Sequence, residues 1–144
     1  MDNTSSERPA ERKVPLPNNL IRVPTSLDTD FFKWWCTFLR PFVKLTDKEI
    51  DVVSSLLKQR WEMSKIISDP STLDRQLMES STREKIIEEC HITQAHYYVI
   101  MSSLRKNRVI INNCINPKLI PNIKEENGNF TFQLLILFKE ETRR

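Results

Sequence analysis

Glycine occurs once in this chain of 144 residues, at Gly128, against eight prolines. Glycine is the residue that enters left-handed backbone without a steric penalty, so tight turns elsewhere must rely on Asn, Asp or His. Cysteine is also sparse. Cys36, Cys90 and Cys114 are odd in number and lack CxxC spacing, a pattern of buried thiols in a reducing compartment. A zinc centre of Cys90, His91, His96 and Cys114 can be drawn, but such side chains are expected as small core, turn and surface residues, and neither metal nor cofactor is expected. Long apolar runs are missing. The longest, Leu134 to Phe138, is one strand's worth, far short of the roughly 20 residues of a membrane span, so no membrane partner is expected. The N-terminus, MDNTSSERPAERKVP, has no apolar stretch of the kind a secretory signal needs, which points to the cytoplasm. No sign of charge dominates: 22 basic side chains face 19 acidic ones, a weak electrostatic footprint for nucleic acid. Signatures of catalysis are missing as well, with no Gly-rich phosphate loop and no nucleophile, acid and base at recognisable spacing, so no enzyme is expected.

Residues 1–25 read as an extended arm, because Pro9, Pro15, Pro17 and Pro24 stand among charged and small polar residues. Val14, Leu16, Leu20, Ile21 and Val23 are more apolar than a spacer needs, so the arm reads either as a segment lying along its own domain or a neighbouring subunit or as a disordered tail. Residues 26–140 form the expected domain. A helix over 26–39 should open at Ser26 or Asp28 and close before Pro41. Phe31, Trp34, Trp35 and Phe38 give it two apolar faces, one for the core and one for a partner, either the arm or another chain. Leu16, Leu20, Ile21, Phe31, Trp34 and Trp35 are therefore the candidate protein interface.

Thr46 and Glu49 have the spacing of a capping box, and Ile50, Val53, Leu57 and Trp61 follow at helical period with Val52 and Leu56 beside them, predicting a helix to about Ile67. Asp69-Pro70 predicts an N-cap and a short helix carrying Leu73, Leu77 and Met78. Ser81 and Glu84 suggest a second capping box, for a helix with Ile86 and Ile87 that ends near Cys90. Thr93 caps the next, from Gln94 to about Lys106. The period then changes to two: Val109 to Cys114 reads as one strand, and Phe130, Phe132, Leu134, Ile136 and Phe138 alternate along another. With Pro117, Pro121 and the turn pair Asn127-Gly128 between them, these strands should form a hairpin with a long irregular tip.

The stretch TREKIIEECHIT resembles the first helix and turn of a helix-turn-helix, and LRKNRVI resembles the segment that leads such proteins into a wing. The matching positions are Ile87, His91, Tyr97 and Ile100, with His91 in place of the usual turn glycine. Together with the order of elements, this resembles the winged helix-turn-helix DNA-binding family. The expected fold is mainly α with a C-terminal β-hairpin. The style of the chain, short and rich in Lys, Asn and Ile, is similar to that of bacteriophage proteins.

The resemblance implies that helix 94–106 docks on duplex DNA. With Tyr97, Ile100, Met101 and Leu104 turned inward, its outer face is Ala95, Val99, Ser102 and Lys106, flanked by His96, Tyr98, Ser103 and Arg105. Gln94 stands near the end where recognition helices meet base edges. Candidate phosphate ligands are Arg83, Lys85, Arg105, Lys106 and Arg108, with Lys118 and Lys124 in the wing; Tyr98 and Ser102 add polar contacts. Glu84, Glu88, Glu89, Glu125 and Glu126 would weaken that field. One reading is therefore a small transcription or replication regulator. The other is a structural or adaptor protein of a virion or assembly, in which the winged helix and the arm make contacts with protein, including other copies of the chain.

Overall fold

The computed structural model describes residues 29–126, 129–132, 134 and 139. Five helices are followed by short antiparallel hairpins. The first helix, α1 (Thr29–Leu39), ends in a turn before Pro41. The second, α2 (Asp47–Ser64), begins as its sequence predicts. Thr46 accepts from the Glu49 N–H, and the Glu49 carboxylate accepts from the Thr46 N–H at 2.9 Å. The helix stops three residues short of Ile67, with Lys65 as its cap. Asp69 caps α3 (Pro70–Leu77) by accepting from the Thr72 N–H, with proline in the first turn, where no intrahelical donor is lost. Then come α4 (Ser80–Cys90) and α5 (Gln94–Lys106), the latter capped by Thr93.

Helix α2 lies at the centre and packs against α1, α3, α4 and α5. Val52, Val53, Leu56 and Leu57 from α2 meet Phe32 and Cys36 from α1, Ile86 from α4 and Leu104 from α5 in one buried cluster. Each large aliphatic side chain so enclosed contributes about 1.5–3 kcal/mol of transfer free energy. Polar groups inside this core are bonded. Glu49, which closes the α2 cap, also accepts from Ser103 Oγ of α5 at 2.6 Å, while Ser55 Oγ donates to Glu89 of α4 at 2.7 Å. Ser54 Oγ donates to the Ile50 carbonyl of its own helix.

One expectation for α4 is corrected. No side-chain cap forms at Ser81, because Ser80 already opens the helix after Glu79. Thr82 is drawn inward instead, its hydroxyl donating to the Gln76 carbonyl at 3.1 Å, and the helix starts two residues earlier than a Ser81 cap would place it. Consequently Thr82, Ile86 and Cys90, at i, i+4 and i+8, form the buried stripe, and Ile87 is only half-buried.

The expected strand from Val109 to Cys114 is itself a hairpin. Strand β1 (Ile110–Ile111) pairs with β2 (Cys114–Ile115), Ile110 opposite Ile115. Asn112 and Asn113 have φ of 53° and 61°, the two positive values a type I′ connection demands, and Asn is the non-glycine residue best suited to supply them. A single 3₁₀ turn (Pro117–Leu119) leads to β3 (Ile123–Glu126), paired with β4 (Asn129–Phe132) in a separate sheet. Two hairpins thus replace the one long hairpin expected. The Asn127-Gly128 pair, Ile136, Phe138, the arm with Leu16, Leu20 and Ile21, and the helix starts at Ser26 and Asp28 lie outside the described residues.

The second hairpin also corrects the reading of α1 as an interface. Phe132 sits 5.4 Å from Phe31, 6.2 Å from Trp34 and 5.6 Å from Trp35, ring to ring. Phe31 and Trp35 are consequently core residues, 4% and 5% exposed, and Trp34 is half-buried beside them. The partner that the second apolar face of α1 called for is a strand of the same chain. Among the described residues no helix is long and apolar enough to cross a membrane.

Left-handed backbone appears at His91, Asn112 and Asn113, as scarce glycine predicts, and also at Arg108, with φ of 63°. Arg108 ends α5 in a Schellman arrangement: its N–H donates to Arg105 and the Val109 N–H to Leu104. Because a Cβ in this region costs about 1–2 kcal/mol, part of which glycine loses again in chain entropy, Arg108→Gly should raise stability by up to about 1 kcal/mol. A higher urea midpoint with unchanged slope would be the sign; a lower midpoint would mean that the Arg108 side chain holds the turn.

Candidate nucleic-acid interface

Helices α4 and α5 are joined by His91, Ile92 and Thr93. His91 has φ 55° and ψ 48° and takes the turn position that glycine usually occupies. Its N–H donates to Glu88 and the Ile92 N–H to Ile87, so the carbonyls at the end of α4 are met by the turn itself. Thr93 then accepts from the His96 N–H at 3.0 Å and starts α5 in a new direction.

On α5 the inward side chains are Tyr97, Ile100, Met101 and Leu104, all buried as their spacing predicts. Gln94, Ala95, His96, Tyr98, Val99, Ser102, Arg105 and Lys106 are exposed. Val99 is 66% exposed and Tyr98 48%, a large apolar exposure for the middle of a helix. Ser103, expected beside this face, is half-buried because its hydroxyl is bound to Glu49.

Two of the candidate residues, Arg83 and Gln94, both contact a third, Tyr98. The Arg83 guanidinium of α4 lies over the Tyr98 ring, 5.8 Å from its centre, and Gln94 Nε2 donates to the Tyr98 hydroxyl at 3.2 Å. Burial raises the pKa of the neighbouring Tyr97 hydroxyl, opposed by the positive charges of Arg83 and Arg105, so α4 and α5 each bring a guanidinium to its vicinity. Lys85 is exposed on α4, and Arg108 is exposed just beyond α5. Lys118 and Lys124 are exposed farther along, on the 3₁₀ turn and on β3, whose hairpin is fixed to α1 by Phe132 and to α2 by Phe130 against Trp61 at 6.0 Å.

The charges divide in a way that total composition conceals. Among the described residues the ion pairs are Lys33–Asp51, Arg40–Asp47, Lys58–Glu89 and Arg60–Asp74, all within α1 to α4 and the α1–α2 connection. Arg83, Lys85, Arg105, Lys106, Arg108, Lys118 and Lys124 have no acidic partner within ion-pair distance among those residues. Glu89, expected to weaken the field, is bound to Lys58 and Ser55 on the α2 side. Sequence reasoning missed a signal here. From Cys90 to Lys124 the chain holds five basic side chains and no acidic one, leaving 17 basic against all 19 acidic for the rest. The net charge of +3 hides a strongly basic segment that begins at the end of α4.

The residues of the drawn zinc centre are not gathered. Cys90 is buried beside Lys33, Lys48, Asp51 and Glu89, and burial pushes its thiol up to about 11. Cys114 stands on β2 near Asp74 of α3, with its pKa raised by partial burial and by that carboxylate. Cys36 is enclosed in the core, its thiol pushed up to about 12 by desolvation. Comparison of the chain with family models, curated proteins and solved structures finds no match.

Proposed function

We propose that this is a non-enzymatic DNA-binding protein of winged-helix type, a small regulator of transcription or replication that docks α5 in the major groove of duplex DNA. The observation that carries this reading is the segregation of charge. Cys90 to Lys124 holds five basic side chains and no acidic one. Among the described residues the cations flanking the exposed face of α5 have no acidic partner, whereas Lys33, Arg40, Lys58 and Arg60 in the body are ion-paired and Lys44, Lys48, Lys65 and Arg75 are not. Free cations around the exposed face of a helix suit phosphates on either side of a groove wide enough to admit that helix. Arg83 and Lys85 would hold one strand and Arg105, Lys106 and Arg108 the other. Lys118 and Lys124 would meet the backbone farther out, in the manner of a wing. His96, Tyr98 and Ser102 would add contacts within or beside the groove.

The adaptor reading keeps one favourable observation, the exposed Tyr98 and Val99. It loses another, since Phe31 and Trp35 are enclosed within the chain. The test is binding of the purified protein to a mixed-sequence duplex across a salt titration. If all seven cations engage phosphate, log affinity should fall against log salt with a slope of about −6, and correspondingly less if fewer do. An absence of binding at low salt, accompanied by stable oligomers in light scattering, would favour the adaptor reading.

A further inference from the structure

We infer that α5 selects an adenine·thymine pair, with Gln94 as the residue that reads adenine and Tyr98 as the residue that positions it; the inference rests on the DNA-binding reading above. Gln94 is the first residue of α5 and is exposed, as a base-reading side chain must be. A glutamine amide has two N–H donors and one carbonyl acceptor. One of those donors is committed, since Nε2 donates to the Tyr98 hydroxyl one turn on. What remains is one N–H and Oε1, the pair required by N7 and the N6 amino group of adenine. Guanine offers two acceptors on the same edge, N7 and O6, and a side chain with one N–H left can serve only one of them while its oxygen faces the other. The bond to Tyr98 thereby makes a versatile amide selective.

Tyr98 is well held for that task. Arg83 lies over its ring and the Tyr97 ring meets it at 5.8 Å, edge to face. The rest of the outer face agrees in chemistry. Ala95 and Val99, at i and i+4, are exposed and offer no hydrogen bond, which fits the thymine methyl group. Arginine and lysine, the usual readers of guanine, do not occur on α5 before Arg105, at the far end of the helix. The opposite amide orientation, with Tyr98 donating to Oε1, would leave both N–H groups free and remove this basis for preferring adenine over guanine.

The experiment is enrichment of bound sequences from a random duplex library, using the full chain and its Gln94→Ala and Tyr98→Phe variants. It is followed by affinity ratios for duplexes that differ at the one selected pair. The wild type is expected to prefer adenine over guanine there by roughly 5- to 150-fold. Gln94→Ala should abolish that ratio, and Tyr98→Phe should lower it by freeing the second N–H. A preference for guanine at that pair, or the same adenine preference in Gln94→Ala, would overturn the inference while DNA binding stands. Failure of the wild type to bind any duplex at low salt would overturn both it and the reading on which it rests.

Discussion

Trp35→Ala should lower the unfolding free energy by about 3–5 kcal/mol, the usual cost of removing a large enclosed aromatic side chain. For a chain of this size that is roughly 6–20 °C in Tm. The expectation follows from what Trp35 touches. It is 5% exposed, its ring lies 5.7 Å from Phe38 and 5.6 Å from Phe132, and its Nε1–H donates to the Leu119 carbonyl at 2.7 Å. One side chain thus ties α1 to both the 3₁₀ turn and the second hairpin. Trp35→Phe keeps an aromatic ring but leaves the Leu119 carbonyl without that donor, so it should cost less, about 1–3 kcal/mol if the carbonyl stays buried. Urea unfolding with light scattering separates this account from an interface role. A variant of unchanged stability with altered self-association would mean that α1 serves a neighbouring chain.

Replacing Arg105 and Lys106 together by Ala should weaken DNA binding across all sequences, on the order of tenfold at low salt, and make the salt dependence shallower by about two counterions. Both side chains are exposed in the last turn of α5, and neither is ion-paired among the described residues. Their loss should therefore cost little stability. They also stand at the negative end of the helix dipole, which favours cations there, so a small drop in Tm of a few tenths of a kcal/mol in equivalent is expected. A double variant that binds with undiminished affinity and salt slope would show that this end of α5 does not meet phosphate.

Much of the helical architecture was legible because its signals are local. The Thr46 and Glu49 capping box, the Asp69-Pro70 start and the inward set Tyr97, Ile100, Met101 and Leu104 each depend on residues within a few positions of one another. His91 was legible for the same reason, since a chain with one glycine must turn on something else. The misses depended on partners distant in sequence or on competing local choices. Thr82 rather than Ser81 sets the start of α4 because its hydroxyl finds the Gln76 carbonyl. Asn112-Asn113 looks like strand interior because isoleucines flank it, although two adjacent Asn residues supply the positive φ values that close a hairpin. Trp35 falls within the expected interface because its enclosing partner, Phe132, comes 97 positions later in the chain. For the candidate interface, the outer residues of α5 were legible from the helical period. The isolation of its flanking cations was not, because pairing of Lys58 with Glu89 or of Arg60 with Asp74 is a property of helix packing.

The most direct test of the central claim is to record amide NMR shifts of the full chain while a short mixed-sequence duplex is added at low salt. If α5 docks on DNA, the perturbations should concentrate at Arg83 and Lys85, along Gln94 to Ser102, and from Arg105 to Arg108, with the interior of α2 little changed. Perturbations confined to other surfaces, or none at all, would contradict the account.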